Sequence, residues 1–235
     1  ALTGAFLVTA GHRFTREFFE HITDPGSVDI ITFHSYRYPP DHNYAEDFAI
    51  VKSLVADYNP RTELWQGESG YPSQPGGTGA KAYLDRTSEA LQAKWLSRHV
   101  LCHLGLGIKL VSWHQAIDLI GYREPDKVNP KGLLRAPEAT RKPSFYVYQR
   151  LCALFNATMQ PVERRWRAHV QAITNECMMP TVKAFHFQNG DNQAYMTYWK
   201  EGEITLDETA PDNVDLWVDG EWNSARLLDP YTGQE

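Results

Sequence analysis

Residues 63–72, reading ELWQGESGYP, decide how the rest of the chain is read. Glu63 to Gly67 can run extended after the break at Pro60-Arg61. The run stops at Glu68, where Ser69, Gly70, Tyr71 and Pro72 impose a turn. A carboxylate at the last position of a strand, aimed into a loop of glycine and aromatics, contributes little to packing. In parallel α/β folds the carboxyl ends of strands carry the catalytic groups. Taken alone, such a glutamate reads more simply as a solvated side chain, so its neighbours along the chain matter.

Upstream, Val28 to Phe33 (VDIITF) is a β-branched apolar run, the pattern of a strand covered on both faces, and it ends at His34-Ser35-Tyr36. Between the two runs, Phe48, Val51 and Val55, with Leu54 alongside, recur at helical spacing from Tyr44 to Tyr58. Downstream, Ser88 to Leu104 reads as a helix closed by Gly105 and Gly107. Ile108 to Trp113 (IKLVSW) reads as the next strand. A loop then runs to about Lys142, and Pro143 opens a helix to about Phe155, with Tyr146, Arg150 and Leu154 at four-residue steps. At the front, Leu2 to Thr9 reads as a strand, Gly11-His12 as its loop, and Phe14, Phe18 and Phe19 as a helical stripe stopped by Asp24-Pro25-Gly26.

Strand and helix therefore alternate four times, which predicts a parallel sheet with crossover helices over residues 1–157. Residues 158–235 differ. Val162 to Ile173, Val182 to Phe187, Gln193 to Trp199, Val214 to Val218 and Ala225 to Leu228 read as short strands separated by turns such as Asn189-Gly190-Asp191. That pattern predicts a small accessory β-sandwich domain.

Composition narrows the function. The 235 residues are 42% hydrophobic and 22% charged, ordinary for a globular protein with a sizeable core. The net charge of −6 comes without basic blocks, which argues against nucleic acid as a partner. No apolar run approaches the ~18 residues of a membrane span. Cys102, Cys152 and Cys177 are too far apart for a metal motif, and Cys102 and Cys152 fall in helical apolar patterns as reduced core residues. No metal or other cofactor is expected. Seven Trp and twelve Tyr suit carbohydrate faces as well as plain cores. The chain starts at Ala1 and carries no signal peptide, which leaves localisation, secreted or periplasmic included, open.

Three successive strand ends thus carry residues suited to sugar chemistry: His34 and Tyr36, then Glu68, then Trp113. A carboxylate can attack an anomeric carbon, a tyrosine or histidine beside it can fix its orientation and charge, and an indole can stack on a pyranose. Singly, His34 reads as a buried histidine and Trp113 as core. In this order and spacing they read as a site.

Here the chain resembles the C-terminal half of a clan A glycoside hydrolase, the retaining (β/α)8 enzymes that include family 39 xylosidases and family 5 glycanases. The matching pieces are VDIITFHSY, ELWQGESGYPS, GIKLVSWHQAID and GLLRAPEATRKPSFYVYQRL. The resemblance implies strands 5 to 8 of a TIM barrel followed by a β domain, with Glu68 as nucleophile and His34, Tyr36 and Trp113 as substrate-binding residues. It implies a carbohydrate partner and a missing N-terminal half of the barrel, on the same polypeptide or a separate one. The clan's general acid follows an asparagine at strand 4, which this chain does not supply. Asn175-Glu176 has the right letters but lies in the β region. The expected function is a retaining glycoside hydrolase with its acid outside this sequence. The alternatives are a non-catalytic carbohydrate-binding protein on the same fold and a structural α/β protein.

Overall fold

A computed structural model describes residues 2–5, 9–75, 87–121, 125–171, 181–202 and 213–234, with side chains from residue 12 onward apart from residue 171. Its first part is built on β1 (Leu2–Ala5), β2 (Ile30–His34) and β3 (Glu63–Glu68), parallel neighbours in chain order. They alternate with α1 (Thr9–His21), α2 (Tyr44–Tyr58) and α3 (Glu89–Gly105). α1 starts earlier than expected and takes Gly11-His12 into the helix, where a loop was predicted. β2 is buried at its three central residues. Ile31 and Phe33 share one core with Leu64, with Phe19 of α1 and with Phe48, Val51 and Val55 of α2.

The fourth expected strand, Ile108 to Trp113, forms only one parallel bridge, between Val111 and Gln66. The reason is local. Gln66 N–H donates to Leu110 O at 2.9 Å and Ser112 N–H to Gln66 O at 2.9 Å, and that pair of bonds is the ladder there. The described sheets are small and unclosed. The loop expected from residue 114 to 142 carries two short hairpins, β4 (Leu119–Ile120) with β5 (Val128–Asn129) and β6 (Leu134–Arg135) with β7 (Thr140–Arg141).

α4 (Pro143–Leu154) forms where proline at N1 predicts it. Ser144, Val147 and Leu151 are buried against α3, whereas Tyr146 is 40% exposed. The four-residue steps of Tyr146, Arg150 and Leu154 thus mark the outer side. Cys152 is exposed on it, not a core residue, while Cys102 is buried; both are free thiols. α3 is capped by Ser88, whose hydroxyl accepts from Leu91 N–H at 3.1 Å.

The last part is antiparallel. β8 (Gln160–Val162), β10 (Val182–Gln188) and β11 (Ala194–Lys200) form one sheet in the order β11-β10-β8. β9 (Trp166–Gln171) and β12 (Asn213–Val218) form a two-stranded one. The single strand expected from Val162 to Ile173 is therefore two strands, broken at 163–165 and divided between sheets. Ala225 to Leu228 is not a strand; it is largely exposed irregular chain. Cys177, Asn175-Glu176 and the end of the loop expected from Gln74 to Gly79 lie outside the described residues. This part packs directly on α3. A Cβ on Gly105 would stand 2.2 Å from the Phe185 ring of β10, so only glycine allows that approach.

Candidate active site

The parallel register puts the last residue of β2, His34, opposite the last residue of β3, Glu68, across a local irregularity at Phe33/His34. Tyr36 follows two residues later and turns back to the same carboxylate. Its hydroxyl donates to Glu68 Oε1 at 2.5 Å, and His34 Nδ1 lies 3.7 Å from Glu68 Oε2. His34, Tyr36 and Glu68 are therefore brought together as one group. The Glu68 side chain keeps 37% of its exposure and is reachable from solvent.

Burial raises the Tyr36 phenol well above its ordinary value, and the hydrogen bond to Glu68 and that carboxylate's charge add to the rise. Tyr36 therefore remains a protonated donor at physiological pH, so Glu68 Oε1 is an acceptor oxygen. Oε2 lies beyond hydrogen-bond reach of His34, and its lone pairs are not consumed by that contact.

Trp113 lies two residues past the Val111 bridge. Its indole N–H donates to Lys131 O at 3.0 Å, and its ring packs on Tyr71 at 5.7 Å and His99 at 6.4 Å between centroids. Its link to the Glu68 group runs through Lys131, whose ammonium stands 4.3 Å from the centre of the Tyr36 ring.

Several neighbours escaped the sequence reading. His114 follows Trp113, and its amide donates to Ser69 O at 2.7 Å, tying the end of the fourth segment to the turn after Glu68. Burial lowers its imidazole pKa; Glu68 opposes that, and Lys131 and His34 reinforce it. Gly70 marks the closest approach: a Cβ there would meet His114 O at 1.7 Å. Gly70 is legible as a turn signal, but the partner it must approach is not.

Lys142, just before Pro143, is 1% exposed and donates to Asp118 Oδ1 at 2.7 Å and Ser73 Oγ at 2.9 Å. It staples the long loop over the turn that follows Glu68. Beneath that turn Tyr71 is fully buried, with Tyr38 at 5.3 Å, Trp95 at 5.4 Å and His99 at 5.7 Å between ring centres. Gln92, also fully buried, donates to Tyr71 O at 2.8 Å. The turn bearing Glu68 is thus held from below by aromatic packing and from the side by Lys142.

Among the described residues no group of three or more His, Cys, Asp or Glu is arranged to hold a metal. Among them, too, no helix is long and apolar enough to cross a membrane.

No family model matches the chain, and no curated protein matches it. Solved structures do. The chain is similar to an active-site mutant of Rhizomucor miehei β-1,3-glucanosyltransferase in complex with laminaritriose, at 18% identity and a TM-score of 0.37 over 54% of this chain and 46% of that one. It is similar to a β-D-glucuronidase of Dictyoglomus thermophilum, at 14% identity and 0.44 over 67% and 31%. It is also similar to Bacteroides uniformis β-glucuronidase 2, at 14% identity and 0.45 over 92% and 28%. The chain spans less than half the length of each of these three proteins.

Proposed function

We propose that the chain is the nucleophile-bearing part of a retaining glycoside hydrolase acting on O-glycosidic bonds of a saccharide, on the C-terminal half of a (β/α)8 barrel. One observation carries this reading. Glu68 ends a parallel strand with one carboxylate oxygen held by Tyr36 at 2.5 Å and the other turned toward His34 without a hydrogen bond. A carboxylate fixed at one oxygen keeps the other aimed for attack on an anomeric carbon, and the half-exposed side chain leaves room for a sugar.

In this mechanism Glu68 Oε2 attacks C1 as the aglycone oxygen leaves with a proton from a general acid outside this sequence. The Tyr36 O–H steadies the carboxylate before attack. It donates less strongly to the ester that replaces it, so the bond favours leaving of the carboxylate in the second step. Water, deprotonated by the same outside acid now acting as base, attacks C1 and frees Glu68. Trp113 offers an indole face to the sugar ring, and His34 stands beside Oε2. A retaining pair requires the acid to stand ~5–5.5 Å from Glu68; an inverting pair stands ~6.5–9.5 Å apart.

The test is Glu68→Ala in the full-length protein, assayed on aryl glycosides. Turnover should fall by about 10⁴-fold or more, because a methyl group cannot form the ester. Azide should restore part of the rate on a substrate with a good leaving group, giving a glycosyl azide of inverted configuration. A Glu68→Ala protein that keeps most of its wild-type rate sinks the assignment.

A further inference from the structure

The antiparallel part of the chain bonds a buried carboxylate, Asp41, in the loop that also carries Tyr36. This residue lies in the loop after β2, only 2% exposed, and both of its oxygens are taken. Arg98 of α3 donates to Oδ1 at 2.5 Å, and the Trp199 indole of β11 donates to Oδ2 at 2.8 Å. Lys183 of β10 donates to the Asp41 carbonyl at 3.2 Å. Arg98 also donates to Gly202 O at 2.8 Å, just beyond β11. The three donors come from three elements, two of them strands of the antiparallel sheet.

The four residues that separate Asp41 from Tyr36 are Arg37, Tyr38, Pro39 and Pro40. Two prolines fix φ over half of that link. Tyr38 is set edge-on against both Tyr71 and Trp95, each at 5.3 Å. Arg37 folds back to donate to His42 O at 2.9 Å and Asn43 O at 3.1 Å, and it pairs with Asp47 of α2. A link this short and stiff has little slack, so a shift of Asp41 is passed on to Tyr36, and from Tyr36 to Glu68.

We propose that Asp41, held by Arg98 and Trp199, is a positioning residue for Tyr36, so that the antiparallel sheet is an integral part of the catalytic geometry. This rests on the reading of Glu68 as nucleophile. It assigns Trp199, on a strand that carries none of the site residues, an effect on the chemical step. Misplacement of a positioning group by about 1 Å can cost about 10²-fold in rate.

The experiment compares Trp199→Phe and Asp41→Asn in the full-length protein, alone and in a Tyr36→Phe background. Phenylalanine keeps a ring against Phe185, whose centroid is 5.8 Å from that of Trp199, and removes the N–H donor along with one ring of the indole. Active sites are counted by the burst from an aryl glycoside with a good leaving group, so that loss of folded protein is separated from loss of rate. Per counted site, each variant should lower kcat by about 10- to 100-fold with KM little changed. With Tyr36→Phe already present, either change should lower kcat further by less than about 2-fold, since the group it positions is gone. Two results overturn the proposal: unchanged kcat per site in both variants, or the same fold-loss with and without Tyr36. Either leaves the nucleophile assignment standing, because that is read separately from Glu68→Ala.

Discussion

β2 and β12 are strands of five and six residues built on opposite plans. β2 (IITFH) is buried at three consecutive residues: Ile31 and Phe33 pack with residues of α1 and α2, and Thr32 between them is buried on the opposite face. β12 (NVDLWV) alternates, exposed at Asn213, Asp215 and Trp217 and half-buried at Val214, Leu216 and Val218. A parallel strand reached by crossover helices must be apolar throughout, whereas a strand in a two-stranded antiparallel sheet has one face in water. The difference is one of tolerance as well as of hydropathy. The parallel part can hold a carboxylate to a fixed geometry because its strands pack on α1 and α2 and the turn after Glu68 packs on buried aromatic residues. The antiparallel part meets the loop after β2 through half-buried Trp199 and Lys183, both bonded to Asp41.

The comparison breaks first if the two strands prove equally sensitive. Phe33 is fully buried, and Phe33→Ala should destabilise the protein by about 3–5 kcal/mol. Leu216→Ala in β12 removes a half-buried side chain and should cost about 1–2 kcal/mol. Urea unfolding of both variants checks this. Equal losses would mean that β12 lies under a cover as complete as that of β2.

Burial of titratable groups sharpens the contrast. His99 and His103 of α3 are both fully buried, with ring centres 4.0 Å apart. His103 Nδ1 meets the His99 carbonyl at 2.6 Å, its Nε2 meets Ser35 Oγ at 3.3 Å, and Tyr71 reaches His99 Nδ1 at 3.3 Å. Burial lowers the His103 pKa from 6.5 to about 3, and burial lowers that of His99 too, with His103 adding to it. The sign follows. From pH 6.5 down toward 3 the unfolded chain takes up protons at these residues and the folded chain does not, so stability present above 6.5 is progressively lost. Denaturation midpoints at pH 7, 5 and 4 should fall in that order, and His103→Gln should flatten the decline. In the antiparallel part His186 is shifted the same way, by burial and by Arg164, but is less enclosed. His186→Gln should leave most of the slope. An unchanged slope in His103→Gln would show that the α3 histidines do not govern it.

How much of this was legible in the sequence follows the same division. β2 began two residues later and ended one later than expected, and α2, β3 and α3 lay where apolar spacing and turn residues put them. The fourth parallel strand did not. IKLVSW carries strand propensity, but a ladder needs successive backbone partners along a neighbouring strand, and among the described residues Gln66 is the one that bridges to it. The four-residue steps of Tyr146, Arg150 and Leu154 announce α4 but not its buried face, since α3 selects the side bearing Val147 and Leu151. In the site, the strand-end positions of His34, Tyr36 and Glu68 follow from strand register. Lys131, His114 and Asp41 come from loops whose path is set by long-range contacts, and no spacing announces them. Lys142 carried a partial signal, as the residue before a helix-opening proline. That it is a buried ammonium bonded to Asp118 and Ser73 follows only from where the loop of residues 114–142 is folded back.

The smallest expected effect fixes the lower end of the comparison. Trp217 is 45% exposed on β12, and in the β9–β12 register it faces Arg167, whose guanidinium carbon stands 5.0 Å from the Trp217 ring. An exposed cation–π pair is worth about 0.5–1 kcal/mol, since water competes for the guanidinium and the ring loses little by uncovering. A double-mutant cycle with Arg167→Ala and Trp217→Ala should return a coupling of that size, with kcat unchanged in all three variants. The rate matters as much as the coupling. Trp199 and Trp217 are both tryptophans on antiparallel strands, but Trp199 donates to a buried carboxylate in the loop that carries Tyr36, and Trp217 faces solvent across a two-stranded sheet. If Trp217→Ala lowered kcat per counted site as Trp199→Phe is expected to, influence on Tyr36 would be a general property of the antiparallel part. It could not then be assigned to the Asp41 contact. A coupling near 0.5–1 kcal/mol with an unaltered rate would confine that influence to the strand that touches Asp41.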